Sequence, residues 1–216
     1  MQPLTESVIE HGLRDRILSE RQLERIAGGT RARRYGLVNR TLKSQELVRV
    51  RRGLYVLASK YRSEPPHPFA IAQALEPGSY VSFETALSLH GWIPESVRTN
   101  ASVISGRKSS ALEHPTLGSF TFHPLALNDA RFLELVERLQ WGSQTALVAK
   151  PLRALLDLVT LRKLRWQGMD WLIEGLRIDE QSVQEVNRTQ IEALMGVYKQ
   201  KTPNSFLTRL AEELQL

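Results

Sequence analysis

The stretch LVRVRRGLYVL at residues 47–57 constrains the fold of the N-terminal part of the chain more than any other feature. Side chains of a strand alternate between two faces, so the two valines before the turn can point inward while the neighbouring arginines point outward. Arg52 and Gly53 then predict a tight turn, because glycine adopts positive φ at little steric cost. We therefore expect a two-stranded ribbon with cations at its tip and along one side. An edge hairpin whose arginines only discourage aggregation is the alternative.

The positive charge of the chain is concentrated around this ribbon. Residues 21–52 contain ten basic and two acidic side chains, a net charge of +8. The whole chain carries +6, so the other residues sum to −2. A basic module joined to a nearly neutral body predicts a polyanionic partner for the module alone.

The segment before the ribbon carries start and stop signals of helices. TESVIEHGLRDRIL, residues 5–18, predicts a first helix with Thr5 as its N-cap and apolar residues at every fourth position from Ile9. A capping box of Ser19 and Gln22 predicts a second helix that ends at a glycine pair.

A third helix is expected from the N-cap Thr30 to about Ser44, directly before the ribbon. Helix, helix, tight turn, helix and two-stranded wing form the order of a winged helix-turn-helix. We assign this DNA-binding domain to residues 1–60.

The third helix has two distinct faces at about 100° of rotation per residue. The face expected to pack against the first two helices holds Arg31, Tyr35, Val38 and Leu42. The opposite face holds Arg33, Gly36, Arg40 and Lys43. Gly36 weakens a helix by roughly 0.5–1 kcal/mol relative to alanine, which a close approach to a DNA groove would explain, as would a helix irregularity. The residues expected to bind DNA lie in this helix and in the ribbon: Thr30, Arg31, Arg33, Arg34, Gly36, Asn39, Arg40, Lys43, Arg49, Arg51 and Arg52.

The rest of the chain, residues 61–216, is expected to form a second α+β domain. Three prolines among residues 58–68 deny that segment helix or sheet bonding and predict an interdomain linker. FETALSLHG and KPLRALLDLVTLRKL predict helices, and a helical tail is expected from about residue 166. Strand-like runs occur at 101–105, 119–125 and 145–149.

The composition gives no support for catalysis, a metal site or a cofactor. The chain has no cysteine, and its five histidines lack the spacing of metal ligands. No glycine-rich phosphate loop and no nucleophile motif is present. The N-terminus lacks the apolar stretch of a signal peptide, and no run approaches the roughly 20 apolar residues that cross a bilayer. We expect a soluble, cytoplasmic, non-enzymatic protein without a membrane partner.

The order of four segments resembles the AbiEi-type antitoxins of type IV toxin–antitoxin systems. These segments are LVRVRRGLYVL, YVSFETALSLHGWIPESV, TLGSFTFHPL and VAKPLRALLDLV, and they span most of residues 20–165. The glycine usual before the first strand of the wing is replaced around Gln45 and Glu46. The resemblance implies a winged helix-turn-helix that binds double-stranded operator DNA and represses its own operon. It also implies a nucleotidyltransferase-like toxin as partner, which such antitoxins are described as countering without a stable complex; direct binding stays open.

Two copies are expected on an inverted repeat, because a single winged helix covers few base pairs. The second domain is expected to act against the toxin, through exposed helix flanks that include Arg153, Asp157, Arg162 and Lys163. Two other functions stay open: a winged-helix regulator whose second domain senses a ligand, with no toxin involved, and a nuclease with an attached DNA-binding module. A nuclease needs clustered Asp, Glu and Lys on strands, and the three strand-like runs contain none.

Overall fold

The chain forms two structural units in the computed structural model, which describes all 216 residues. The first unit comprises Met1–Pro77 and Gln140–Thr145, and the second comprises Gly78–Leu139 and Ala146–Leu216. Helices and two separate sheets give the mixed α+β class expected from the sequence.

The first unit combines helices with one small sheet. Its elements are α1 (Pro3–Glu10), β1 (Leu18–Ser19), α2 (Glu20–Ala27), α3 (Arg31–Lys43), β2 (Leu47–Arg51), β3 (Leu54–Leu57) and α4 (Pro68–Leu75). The strands are antiparallel in the order β1-β3-β2, with Leu18 opposite Tyr55 and Val48 opposite Val56. Apolar side chains from α1–α3 and the sheet form one buried core: Leu4, Val8, Leu18, Leu23, Leu37, Leu47, Tyr55 and Leu57.

The first helix is shorter than the sequence predicts. It starts at Pro3, whose ring fixes a helical φ, and ends before Gly12, which takes a φ of +68°. Thr5 is therefore buried within the helix and is not its N-cap. Leu18, expected in the same helix, belongs to β1 instead. Ile9 and Leu13 pack against the core but are only partly buried, and the buried residues of α1 are Leu4, Thr5 and Val8. The apolar spacing therefore indicated the side of the chain near the core but not one continuous helix.

The capping signals of α2 and α3 are confirmed. The Gln22 N–H donates to Ser19 Oγ over 3.3 Å, and the Ser19 N–H donates to Gln22 Oε1 over 2.8 Å. The Arg33 N–H donates to Thr30 Oγ1 over 3.3 Å. These bonds satisfy N–H groups that the first turn of a helix leaves without partners, so both helices begin where the sequence predicts.

Residues 58–68 belong to the first unit and do not form a free linker, contrary to the expectation from their prolines. Asp15 Oδ1 accepts hydrogen bonds from the Ser63 and Glu64 N–H groups over 2.6 and 3.1 Å. Glu64 Oε1 in turn accepts from the hydroxyl and N–H of Ser143 over 2.6 and 3.0 Å, and these bonds lower the pKa of Glu64. Hydrogen bonds with Asp15 and with Ser143 therefore hold the middle of this segment within the first unit, and the expected domain boundary at residue 60 falls inside that unit.

The second unit contains most of a six-stranded mixed sheet, in which residues 140–145 at the adjoining ends of the last two strands belong to the first unit. Its elements are β4 (Tyr80–Val81), α5 (Phe83–Leu89), β5 (Thr99–Ile104), β6 (Ser110–His114), β7 (Gly118–Pro124), β8 (Val136–Trp141), β9 (Gln144–Ala149), α6 (Pro151–Arg162), a π-helical turn (Trp171–Gly175), α7 (Glu180–Gln184), α8 (Arg188–Leu194) and α9 (Lys201–Glu213). The strand order is β6-β7-β5-β4-β9-β8, with β5 parallel to β7 and β4 parallel to β9. The three strand-like runs of the sequence are confirmed as β5, β7 and β9. None of the helices combines the length and apolar composition needed to cross a bilayer.

A buried polar cluster lies in the second unit, on β4, α6 and the tail. Asp157 accepts hydrogen bonds from the hydroxyls of Tyr80, Ser82 and Tyr198 over 3.0, 2.7 and 2.7 Å. The Arg153 Nε donates to it over 3.0 Å, and neither charged side chain is exposed. Burial opposes the charge of Arg153, but Asp157 and the two tyrosines together raise its pKa. The expectation that Arg153 and Asp157 form part of an exposed contact surface is therefore wrong.

Candidate nucleic-acid interface

The face that α3 presents to the core matches the expected one only in part. Leu37 and Thr41 are its buried residues, and the Thr41 hydroxyl donates to the Leu37 carbonyl over 2.9 Å. Tyr35 lies about 160° around the helix from Leu37, and it exposes 71% of its surface. The expectation that Arg31 and Tyr35 pack against the first two helices is therefore wrong, because both are exposed. Val38 and Leu42 do pack against the core, as expected.

A groove of about 440 Å³ is lined by the exposed flank of α3 and by the β2–β3 hairpin. The lining residues that carry a cation or a hydrogen-bonding group on these elements include Arg31, Arg34, Tyr35, Asn39, Arg49 and Arg52. Glu20 and Glu24 on α2 also line it, so the groove holds four guanidinium groups and two carboxylates. A concave surface with an excess of positive charge attracts polyanions.

The other basic residues of α3 do not line this groove. Arg33, Arg40 and Lys43 are exposed on the adjacent flank of the helix. Gly36 lies among them, and a Cβ at this position would approach only Arg40 Nη1, at 3.5 Å. The fold of the protein therefore does not require glycine here. The residues expected to bind DNA are thus divided between two flanks of α3, of which one faces the hairpin.

Thr30 and Arg34 make structural contacts at the turn between α2 and α3. Thr30 caps α3, as described above. Arg34 Nη1 donates to the Gly29 carbonyl over 2.9 Å, and its Nε lies 3.9 Å from Glu24 Oε1. These contacts fix the start of α3 relative to α2 and use part of the donor capacity of Arg34.

The β2–β3 hairpin holds its arginines in different settings. Gly53 takes a φ of +81° at the turn, which confirms the predicted glycine turn. A bulge between Arg49 and Arg51 shifts the register of β2 against β3. Arg51 Nη1 lies 3.5 Å from Glu76 Oε1 and does not line the groove, whereas Arg49 and Arg52 do.

Tyr35 and the two glutamates are members of the groove that the sequence reasoning missed. Leu37 could have indicated that Tyr35 is exposed, because leucine marks the buried face of a helix more reliably than arginine or tyrosine does. Tyr35 lies on the other side of the helix from Leu37. Glu20 and Glu24 reach the groove through the packing of α2 beside α3. No local pattern in the sequence encodes that packing.

The site contains no signature of metal chemistry. No group of three or more His, Cys, Asp and Glu side chains lies close enough to hold a metal ion. No family model and no curated protein sequence matches the chain. The groove is therefore interpreted from its geometry and charge.

Proposed function

We propose that the protein is a DNA-binding antitoxin that represses its own operon, and that its first unit is a winged helix-turn-helix. The element order α1-β1-α2-α3-β2-β3 and the sheet order β1-β3-β2 support this fold assignment, since a winged helix has three helices and a small antiparallel sheet that ends in a hairpin. In this fold α3 is the recognition helix and the β2–β3 hairpin is the wing.

The observation that carries the proposal is the cationic groove between α3 and the hairpin. A duplex that receives α3 in its major groove brings phosphates and the neighbouring minor groove toward the wing, which suits Arg49 and Arg52. Arg31 and Asn39 have side chains that pair with the edges of guanine and adenine, respectively. The exposed cations of the other flank suit the phosphates on the far side of the major groove: Arg33, Arg40 and Lys43.

The stoichiometry in this proposal is two copies on an inverted-repeat operator. One recognition helix with one wing covers few base pairs, and a single DNA-binding module buries only about 600–1,000 Å² of its surface. Repressors reach sufficient affinity by placing two modules on half-sites about one helical turn or a multiple apart.

The antitoxin part of the proposal rests on the four segments that resemble AbiEi-type antitoxins. The partner is a nucleotidyltransferase-like toxin, and the second domain is proposed to counter it in the cytoplasm without enzymatic activity. Of the four candidate contact residues on α6 and directly after it, Arg162 and Lys163 are the exposed ones.

The DNA-binding part is tested with the full chain and duplex DNA from upstream of its own coding sequence. Fluorescence anisotropy should show affinity that falls steeply between about 50 and 200 mM salt, because neutralised phosphates release counterions. Replacing Arg49 and Arg52 with alanine together should abolish binding at the higher salt. A double replacement of Lys201 and Arg209 on α9 removes the same charge and should bind as the wild type. Equal binding by both double variants would contradict the proposed interface.

The antitoxin part is tested by co-expression with a toxin gene adjacent to the coding sequence. The Arg49/Arg52 double variant should restore growth while it loses repression of the operon promoter. If the genome carries no such neighbouring gene, and the chain restores growth against no nucleotidyltransferase-like toxin, the regulator with a ligand-sensing second domain becomes the better proposal.

A further inference from the structure

A cavity of about 560 Å³ lies within the second unit and has a mostly apolar wall. Its floor includes Phe83 and Leu87 of α5 and Leu158 of α6, none of which exposes more than 3% of its surface. Ala101 of β5 forms part of the wall. The volume is within the roughly 300–1,000 Å³ typical of sites for small molecules.

Two ion pairs stand among the residues that line this cavity. Arg162 binds Glu84, and Arg177 Nη1 lies 2.5 Å from Glu95 Oε1. The guanidinium side chains are the more exposed partners, at 52% and 63%, against 31% and 40% for the carboxylates. A guanidinium ion carries five N–H groups, and both arginine side chains are more than half exposed, so N–H groups of both remain able to donate.

The imidazole of His123 lies on the cavity wall beside these charges. The His123 ring packs edge-on against Phe83, with 5.6 Å between ring centroids, and it lines the cavity. Burial lowers the pKa of His123, although Glu84 opposes this effect. By contrast, the Thr85 hydroxyl is already used, since it donates to the Thr99 carbonyl and accepts from the Ala101 N–H.

We propose that this cavity binds a small amphiphilic molecule with an apolar body and one acidic group. The apolar body would fill the space over α5 and β5, and the acidic group would accept hydrogen bonds from Arg162, Arg177 and His123. A charge-assisted hydrogen bond to arginine is stronger than one between neutral groups, which favours an acidic headgroup over a neutral one. This site is independent of the proposed DNA binding, because every residue in it belongs to the second unit.

The test uses the full chain and two fluorescent probes with the same ring system. The probe 1-anilinonaphthalene-8-sulfonate carries one acidic group, and N-phenyl-1-naphthylamine lacks it. We expect saturable binding of one sulfonate probe per chain, with an affinity about tenfold or more above that of the neutral probe. No saturable binding, or equal affinity for the two probes, would overturn the proposal.

Variants locate the binding within the molecule. Ala101→Phe should fill the cavity and weaken binding of the sulfonate probe about tenfold or more. Ala111→Phe, on β6 of the same sheet and outside the cavity, should bind as the wild type. A thermal melt checks that each variant is folded, and Thr121→Phe replaces Ala101→Phe if the latter does not fold. Wild-type affinity in a folded cavity-filling variant would overturn the proposed site.

The arginines are tested separately from the apolar wall. Arg177→Gln should reduce the preference for the sulfonate probe over the neutral probe by about tenfold, because it removes a charged donor and keeps a polar side chain. Arg209→Gln removes an exposed arginine outside the cavity and should leave the preference unchanged. An unchanged preference in Arg177→Gln would remove this arginine from the proposed acid site.

Discussion

Tyr35 exposes its aromatic ring on the surface of α3, next to the arginines of the groove. A tyrosine in this position combines an apolar ring with a hydroxyl that can donate to a phosphate oxygen. Because the ring is exposed and contributes little to the core, a substitution of Tyr35 can change DNA binding without changing the stability of the fold.

Tyr35→Phe should weaken binding of the upstream DNA by about 1 kcal/mol, because it removes one hydrogen bond and keeps the ring. Tyr35→Ala should weaken it further. The free energy of unfolding of both variants should lie within about 0.5 kcal/mol of the wild-type value, as is usual for substitutions at exposed positions. Anisotropy titration measures the binding, and urea denaturation measures the free energy of unfolding. DNA affinity that is unchanged in Tyr35→Ala would remove this residue from the interface.

Arg31 and Asn39 are proposed to read bases, whereas Arg52 is proposed to hold the backbone. Arg31→Ala and Asn39→Ala should each cost about 1–3 kcal/mol and relax the preference at one base pair. Arg52→Ala should weaken specific and random DNA alike and lower the salt slope by about one. Competition binding with single-base operator variants measures both effects. If Arg52→Ala relaxes base preference while Arg31→Ala does not, the helix is docked differently.

At the scale of elements, the middle of α3 contains a glycine that the surrounding structure does not require. Gly36→Ala should raise the free energy of unfolding by about 0.5–1 kcal/mol, because alanine loses less backbone entropy in a helix. It should also lower DNA affinity, since it adds a methyl group to a surface proposed to approach the duplex. Stabilisation with unchanged affinity would indicate that Gly36 is only an irregularity of the helix.

Breaking the buried ion pair on α6 should cost much more stability than breaking an exposed ion pair. Asp157→Asn should lower the free energy of unfolding by about 3–5 kcal/mol, because it leaves the Arg153 charge buried without its counterion. Glu212→Gln disrupts the exposed pair with Arg209 on α9 and should cost less than about 1 kcal/mol. Urea denaturation compares the two. Similar small losses in both variants would show that the buried cluster adapts to a neutral partner.

Local signals predicted the elements well where the residues that decide the structure are close in sequence. Ser19, Thr30 and Gly53 act on neighbours within three residues, and all three were placed correctly. The pairing of β1 with β3 was not predictable, because Leu18 meets Tyr55 across a long stretch of chain. Arg153 and Asp157 are four residues apart, a spacing that is the same for an exposed ion pair on a helix and for a buried one, so the spacing alone does not predict burial. Their burial depends on tyrosines that arrive from β4 and from the tail.

The candidate groove was predicted only in part, for the same reason. Its cations were visible in the charge of the N-terminal segment. Five of the residues expected to bind DNA do line it: Arg31, Arg34, Asn39, Arg49 and Arg52. The predicted phase of α3 is partly wrong because it places Tyr35 against the core, whereas the side chain of Leu37 is the one that packs there. The glutamates of α2 could not be assigned without the packing of two helices.

At the scale of the whole molecule, the free energy of unfolding should depend on pH through His67. The His67 ring stacks on Trp141 with 4.0 Å between centroids, and its Nδ1 accepts the Phe69 N–H at the start of α4. Burial lowers the pKa of His67 below its ordinary value of 6.5. The unfolded chain therefore takes up the proton more readily, and stability is lost as pH falls below about 6.5.

His67→Asn keeps an acceptor at the helix start and removes the titration. The free energy of unfolding should then fall less between about pH 7 and pH 5 than in the wild type. At about pH 8 the histidine is neutral in both states, so a difference in the free energy of unfolding there reports the lost stacking on Trp141 and not the titration. Urea denaturation at each pH measures the slopes, and parallel slopes would show that His67 does not contribute.

The first unit takes its last six residues, Gln140–Thr145, from a distant part of the chain. A ribosome completes residues 78–139 before it makes this stretch, which at roughly 5–20 residues per second takes several seconds. During that time Glu64 lacks Ser143, its partner in the finished protein. The N-terminal unit is therefore begun first but completed late in synthesis. A premature stop codon before position 140 would release it unfinished, even though every residue of its helices and its small sheet had been translated.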